Sequence, residues 1–190
     1  MKRGGAAINL LQGSEVVLYI GDVHASARSV IVKTLLGSCV AACLWDPITA
    51  VGGMNHFMLP RAAEVGEESS RFGVHAMDLL IGEIMKAGGD RRRLRAKVFG
   101  GGHVLGLPDG RDSVPRQNIA FIREFCQAEG FEVVAQDLGG GTARQVRFDT
   151  GSGRAWVKRL RSAAARVAEA EAPHLAAAAP APAYGEVTLF

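Results

Sequence analysis

The chain has 190 residues, enough for one domain with a substantial core and too few for two comfortable ones. It is 48% hydrophobic and 22% charged, an ordinary globular composition, and its 22 basic residues face 19 acidic ones, a mild balance that argues against a strongly basic nucleic-acid binder. Aromatic residues make up 6%, too few for the stacking platforms of single-strand binders, and no stretch approaches the length of a membrane span.

The N-terminal segment MKRGGAAINLLQGSE starts basic, but its apolar part is too short for a signal peptide. Periodic apolar pattern runs from about residue 8 to about residue 160, which sets the expected domain. Glu15–Ile20 and Ser29–Thr34 are β-branched runs of strand length. ACLWD and GGMNHFMLP read as two strands joined by a turn at Asp46-Pro47-Ile48-Thr49. Arg61–Ser70 is polar and reads as an exposed loop. In the segment from Arg71 to Gly89, Val74, Met77, Ile81, Ile84 and Met85 recur at helical spacing, and Gly88-Gly89 form the stop. The basic run Arg91–Lys97 reads as a solvated connection at a helix end. Ala96–Gly106 reads as a strand entering a glycine-rich turn, and Asn118–Gly130 as a second helix with Asn118 as its N-cap and Cys126 on its apolar face. FEVVAQD, RQVRFD and RAWVKRL then alternate as a three-strand meander.

Two helices among many strands predict an α+β domain, an α/β sandwich of mixed or antiparallel sheet with helices packed over it, across residues 8–160. From Arg161 the composition shifts: twelve of the last thirty residues are alanine, and Pro173, Pro180 and Pro182 interrupt any long helix. Residues 161–190 are expected to form a flexible Ala/Pro-rich tail, ending on YGEVTLF, a short apolar docking candidate.

Chemistry concentrates in one stretch. Cys39 follows Gly37-Ser38 inside an apolar run, and His56 lies in a second apolar run. Taken singly, each reads as a core residue. Joined by one strand–turn–strand, however, they could face each other as a thiol and its base. The Gly37-Ser38 turn could aim backbone N–H groups at an oxyanion. A third group would fix the imidazole tautomer: Thr34 by its hydroxyl or carbonyl, with Asn55 weaker because adjacent strand residues point to opposite faces. Cys43 and Cys126 read as core. His103 and Arg144 follow glycine stretches that read better as tight turns than as anion cradles. The remaining histidines have no companions at ligand spacing, and three cysteines without a CxxC pair suit a reducing cytoplasm; no metal and no cofactor are expected.

LLGSCVAACLWDP, GGMNHFMLP, RFGVHAMDLLIGEIMKAGG, AKVFGGG and DLGGGTARQVRF stand in the order and spacing of the chemotaxis protein CheD family, the chemoreceptor glutamine deamidases, and the chain resembles that family from about Glu15 to Lys158. The resemblance implies a cytoplasmic cysteine hydrolase with a fold like that of bacterial toxin deamidases and a papain-like constellation. Its substrate would be glutamine side chains on the cytoplasmic helices of chemoreceptors, with glutamyl methyl esters as a second one. It also implies Cys39 as nucleophile, His56 as base and acid, and an upstream threonine that orients the histidine. Thr34 stands near that place, although some relatives carry the threonine at the position of Lys33. A second implied role is a regulatory module that binds a CheC-type phosphatase, or the receptor itself, with little turnover. Neither nucleic acid nor membrane insertion is expected, and the expected state is a monomer.

Overall fold

The computed structural model describes residues 15–59, 67–104 and 113–160. The tail at 161–190 with its YGEVTLF peptide, the start of the expected domain at 8–14 and residues 61–66 of the expected loop lie outside the described residues.

Among the described residues, nine strands and two helices follow one another: β1 (Glu15–Val17), β2 (Val23–Ser26), β3 (Ile31–Leu36), β4 (Val40–Asp46), β5 (Val51–Asn55), α1 (Glu67–Lys86), β6 (Arg95–Gly100), α2 (Val114–Ala128), β7 (Glu132–Leu138), β8 (Ala143–Asp149) and β9 (Ala155–Leu160). The strands form two mixed sheets, ordered β1-β3-β8-β9 and β2-β5-β4-β6-β7. The architecture is α+β, with both helices on the five-stranded sheet and the four-stranded sheet on its other face.

β4 explains the layering. Every one of its residues is buried except Trp45, because both faces of this central strand are covered. Val40, Ala42 and Leu44 point to the helices, where Met77, Leu80, Ile81 and Ile84 of α1 and Ile122 and Cys126 of α2 meet them. Ala41 and Cys43 point the other way, into a second core with Val32, Leu36, Val146 and Phe148 of the facing sheet. Each large aliphatic side chain buried there stabilises the fold by roughly 1.5–3 kcal/mol. Gly73 lets the helices cross closely, since a Cβ on it would enter the Phe121 ring.

Several expectations change. The end of the chain is not one meander: β8 and β9 form a hairpin, but β7 lies in the other sheet, parallel to β6. Local alternation specifies strands without specifying partners, and the glycine turn between β7 and β8 carries the chain across the sandwich. β2 pairs antiparallel with β5, although its sequence VHAS carries no strand pattern. α1 begins at Glu67, so the last four residues of the expected loop are helical. Its buried face includes Leu80, whereas Val74 and Met85 are exposed. The N-cap of α2 is Ser113 and not Asn118.

Four arginines of the basic run are paired with carboxylates. Arg91–Arg93 form a 3-10 turn capped by Asp90. Arg91 pairs with Glu129, Arg92 with Asp90, Arg93 with the fully buried Asp46 at 2.7 Å, and Arg95 with Glu132 at 3.2 Å. Asp46 also accepts the Ile48 and Asp90 N–H groups, and the Arg93 guanidinium holds its carboxyl well below the usual carboxylate range.

Candidate active site

β4 and β5 are antiparallel neighbours, and their register continues past the strand ends to a bridge between Val40 and Phe57. That pairing places Cys39 opposite Met58 and His56 opposite Ala41. Side chains alternate across a strand, so Cys39, Ala41, Met54, His56 and Met58 share the face between the two sheets, while Asn55 and Phe57 face the helices. Cys39 and His56 are thus diagonal neighbours on adjacent strands, about 7–8 Å apart along the backbone and within reach of side chains. The two residues flagged in the sequence come together on one face.

Thr34 reaches them from the facing sheet. Its neighbours on β3 alternate, and the side chains of Val32, Thr34 and Leu36 point inward while Lys33 turns out to pair with Glu15. Thr34 Oγ1 lies 2.8 Å from His56 Nδ1 and 2.9 Å from the Leu18 carbonyl oxygen. The hydroxyl has one proton and the carbonyl can only accept, so that proton goes to Leu18. Oγ1 therefore accepts from Nδ1–H, and a neutral His56 ring carries its lone pair on Nε2. Asn55 takes no part in orienting the ring: its Oδ1 accepts the Ala42 N–H at 3.0 Å and its Nδ2 donates to the Ala76 carbonyl, tying β4 to α1.

The loop after β1 completes this side of the site. Tyr19–Asp22 is a turn closed by the Asp22 N–H on the Tyr19 carbonyl, and its backbone pairs with His56 through Gly21 N–H at 2.8 Å and the Asp22 carbonyl at 3.0 Å. His56 is thereby fixed by backbone on one side and by Thr34 on the ring.

The turn bearing Cys39 is held by three carbonyls in succession. Gly37 C=O accepts from Gly102 N–H at 2.6 Å, Ser38 C=O from Asn118 Nδ2 at 2.9 Å, and Cys39 C=O from Gly101 N–H at 2.7 Å. Behind it, the second glycine turn is laced to the first by Gly139 N–H on Gly100 C=O and His103 N–H on Gly140 C=O. Arg144, only 1% exposed, fills that second turn and donates to the carbonyls of Asp137, Gly139 and Thr142. Gly100 has φ of 120°, and a Cβ there would overlap the Cys39 carbonyl oxygen, so a side chain is excluded on two grounds. Both glycine stretches, expected as simple turns, are the backing of the cysteine turn.

Asn118, expected as an N-cap, and Gly100–Gly102 and Arg144, expected in or beside tight turns, support the cysteine turn instead. The available clue to Asn118 was its phase: it stands at helical spacing with Phe121, Ile122, Phe125 and Cys126, which puts an amide on the buried face. Cys43 and Cys126 sit in the core as expected, and burial pushes the Cys126 thiol up to about 11 and the Cys43 thiol further. Cys39 is itself fully buried, so a substrate reaches its sulfur only by displacing neighbouring groups.

Comparison with known proteins adds an independent line. The family model for CheD, chemotactic sensory transduction, matches residues 58–159, a span that begins two residues past His56. A protein of Vibrio vulnificus (strain YJ016) named probable chemoreceptor glutamine deamidase CheD is 41% identical over 150 residues, covering 74% of this chain and 69% of the relative. Proteins of the same name from Burkholderia vietnamiensis (strain G4) and from Vibrio cholerae serotype O1 (strain M66-2) are 44% and 42% identical over 162 and 150 residues. These matches cover 83% and 74% of this chain and 65% and 63% of the relatives.

Proposed function

The chain belongs to the CheD family, and from that premise we propose that it deamidates glutamine side chains on the cytoplasmic helices of chemoreceptors, with Cys39 as nucleophile, His56 as base and acid, and Thr34 as the residue that orients His56. The observation that carries this reading is the Thr34–His56 bond, which leaves Nε2 as the basic nitrogen on a ring that shares a face with Cys39.

The reaction runs in two halves. His56 Nε2 takes the Cys39 proton, and the thiolate attacks the side-chain carbonyl carbon, forming a C–S bond and moving the C=O electron pair onto oxygen. Peptide bonds here are trans, so each N–H points opposite to the preceding carbonyl. With the Gly37 and Ser38 carbonyls tied to Gly102 and Asn118, the Ser38 and Cys39 N–H groups are directed away from those partners, as donors to the oxyanion. The intermediate collapses, the C–N bond breaks, and the His56 imidazolium protonates the departing ammonia. Water, deprotonated by His56, then attacks the thioester, releasing glutamate and returning the thiol. The product places a carboxylate where an amide stood, and like-charge repulsion between packed helices is a physical means of shifting a receptor's signalling state. A glutamyl methyl ester fits the same steps with methanol as leaving group.

The alternative, a regulatory module for a CheC-type phosphatase with little turnover, gives the Thr34–His56 bond and the pinned cysteine turn no task, and the enzymatic reading leads for that reason. We take the enzyme to be a cytoplasmic monomer of one domain, residues 8–160, with the tail outside the catalytic unit. No helix among the described residues is long and apolar enough to cross a membrane. Ammonia release from a purified glutamine-bearing receptor cytoplasmic fragment tests the reading: turnover is expected, and a folded chain that releases none contradicts it.

A further inference from the structure

A mid-helix asparagine with no solvent exposure needs a reason, because burying an amide without partners costs roughly 1–3 kcal/mol. Asn118 is the fifth residue of α2 and is 0% exposed. Its Oδ1 accepts the Leu59 N–H at 2.8 Å and its Nδ2 donates to the Ser38 carbonyl at 2.9 Å. The two segments it joins are those proposed to carry the chemistry: Ser38 immediately precedes Cys39, and Leu59 lies three residues after His56. The amide sits on a rigid element, since Phe121, Ile122, Phe125 and Cys126 of the same helix are buried in the core.

We infer that Asn118 is a positioning residue for the oxyanion donor: by holding the Ser38 carbonyl it fixes the plane of the Ser38–Cys39 peptide and so the direction of the Cys39 N–H. The inference rests on the deamidase reading above. Gly102 and Gly101 hold the peptides on either side, the Val40 N–H is committed to the Phe57 carbonyl, and the peptide between them has Asn118 on its carbonyl. That peptide turns about the Ser38 ψ and Cys39 φ torsions, which the Asn118 bond to the Ser38 carbonyl restrains. Rotation would turn the Cys39 N–H out of the site while leaving the Thr34–His56 bond untouched. Loss of Asn118 therefore acts on stabilisation of the tetrahedral oxyanion and not on the nucleophilicity of the thiolate.

Two variants of the full chain separate these effects. Asn118→Asp keeps the acceptor for Leu59 and removes the donor to Ser38 at neutral pH; Asn118→Ala removes both and introduces no charge, so it remains informative if the buried carboxylate unfolds the chain. Each is assayed below its melting temperature for kcat and KM on a glutamine-bearing receptor fragment, and for the rate of Cys39 alkylation by iodoacetamide. Alkylation displaces iodide from a saturated carbon and develops no carbonyl oxyanion. The expected result is a kcat lower by about 10- to 500-fold, bounded above by the loss of a whole oxyanion donor, with KM and alkylation rate within about threefold of wild type. A kcat within threefold of wild type in a folded variant overturns the inference. So does a parallel fall of kcat and alkylation, which would assign Asn118 to the architecture of the thiol–imidazole pair as a whole. A wild-type chain that releases no ammonia overturns the deamidase reading and this inference with it, an outcome distinct from an active wild type with unaffected variants.

Discussion

Replacing Thr34 by valine keeps the outline of the side chain and removes one oxygen. That oxygen serves two buried partners, the Leu18 carbonyl at 2.9 Å and His56 Nδ1 at 2.8 Å. Thr34 is 2% exposed, so water does not readily replace it. Each buried group left unsatisfied costs about 1–3 kcal/mol, giving a stability loss of about 2–6 kcal/mol and, at roughly 2–4 °C per kcal/mol for a domain of this size, a Tm lower by roughly 4–24 °C. Catalysis loses the bond that selects the Nδ1–H tautomer and aims the ring. If that bond is worth about 1–3 kcal/mol in the transition state, kcat falls about 5- to 150-fold, at 1.36 kcal/mol per decade. Ammonia release at a temperature well below both melting points reads kcat, and scanning calorimetry reads stability. Thr34→Ser keeps the oxygen and is expected within about threefold of wild type in kcat. Lys33→Met, which removes only an outward charge paired with Glu15, is expected to leave kcat unchanged. A Thr34→Val enzyme with wild-type kcat, or a Thr34→Ser enzyme as damaged as it, would refute the assignment of Thr34 as the orienting residue.

Three further outcomes are expected. Gly100→Ala and Gly140→Ala both place a side chain at positive φ, but only the first meets an obstacle, the Cys39 carbonyl; thermal melting should show about 1–2 kcal/mol lost at Gly140 and about 2–5 kcal/mol at Gly100, and equal losses would contradict the close approach. Asp46 has a folded-state pKa below its unfolded value, so its contribution to stability is full above about pH 4 and is lost as the pH falls through the folded value; urea titrations of wild type and Asp46→Asn should converge below pH 4, and a constant gap across acid pH would contradict the ion-pair account. Iodoacetamide at pH 8 should modify Cys39, which shares a face with the proposed base His56, ahead of Cys43 and Cys126, which are buried in the core with thiols pushed up; tryptic mapping that finds Cys43 modified first would contradict the pairing of Cys39 with His56.

The elements that sequence made legible are those whose information is local. The apolar runs of β4 and β5, the alternation in β8 and β9 and the helical spacing of Met77, Ile81 and Ile84 are visible in windows of a few residues, and Cys39, His56 and Thr34 could be set on strand faces by counting in twos. Partnership is not local. The alternation of β7 is the same whether it joins β8 or β6, and the choice is made by which face of the sandwich the chain reaches after Gly139–Gly141. The pairing of Arg91–Arg95 with carboxylates as distant as Asp46, Glu129 and Glu132 is likewise a product of the tertiary fold. The backing of the site was hidden for a related reason. Gly100, Arg144 and Asn118 act through contacts with backbone carbonyls, a role that leaves no residue-type signature beyond a glycine, a cation or an amide in an unexpected place. Thr34 against Lys33 turned on a one-residue shift, which reverses a side chain's direction, and only the β3–β8 register, with Thr34 opposite Val146, places it inward.

The most direct measurement is peptide mass spectrometry of a glutamine-bearing chemoreceptor cytoplasmic fragment after incubation with the wild-type chain, with Cys39→Ala and with His56→Ala. Conversion of particular glutamines to glutamate is expected with the wild type, and none above the no-enzyme control with either variant. Conversion that survives in a folded Cys39→Ala chain would contradict the thiol as nucleophile, and no conversion by a folded wild type would contradict the deamidase itself.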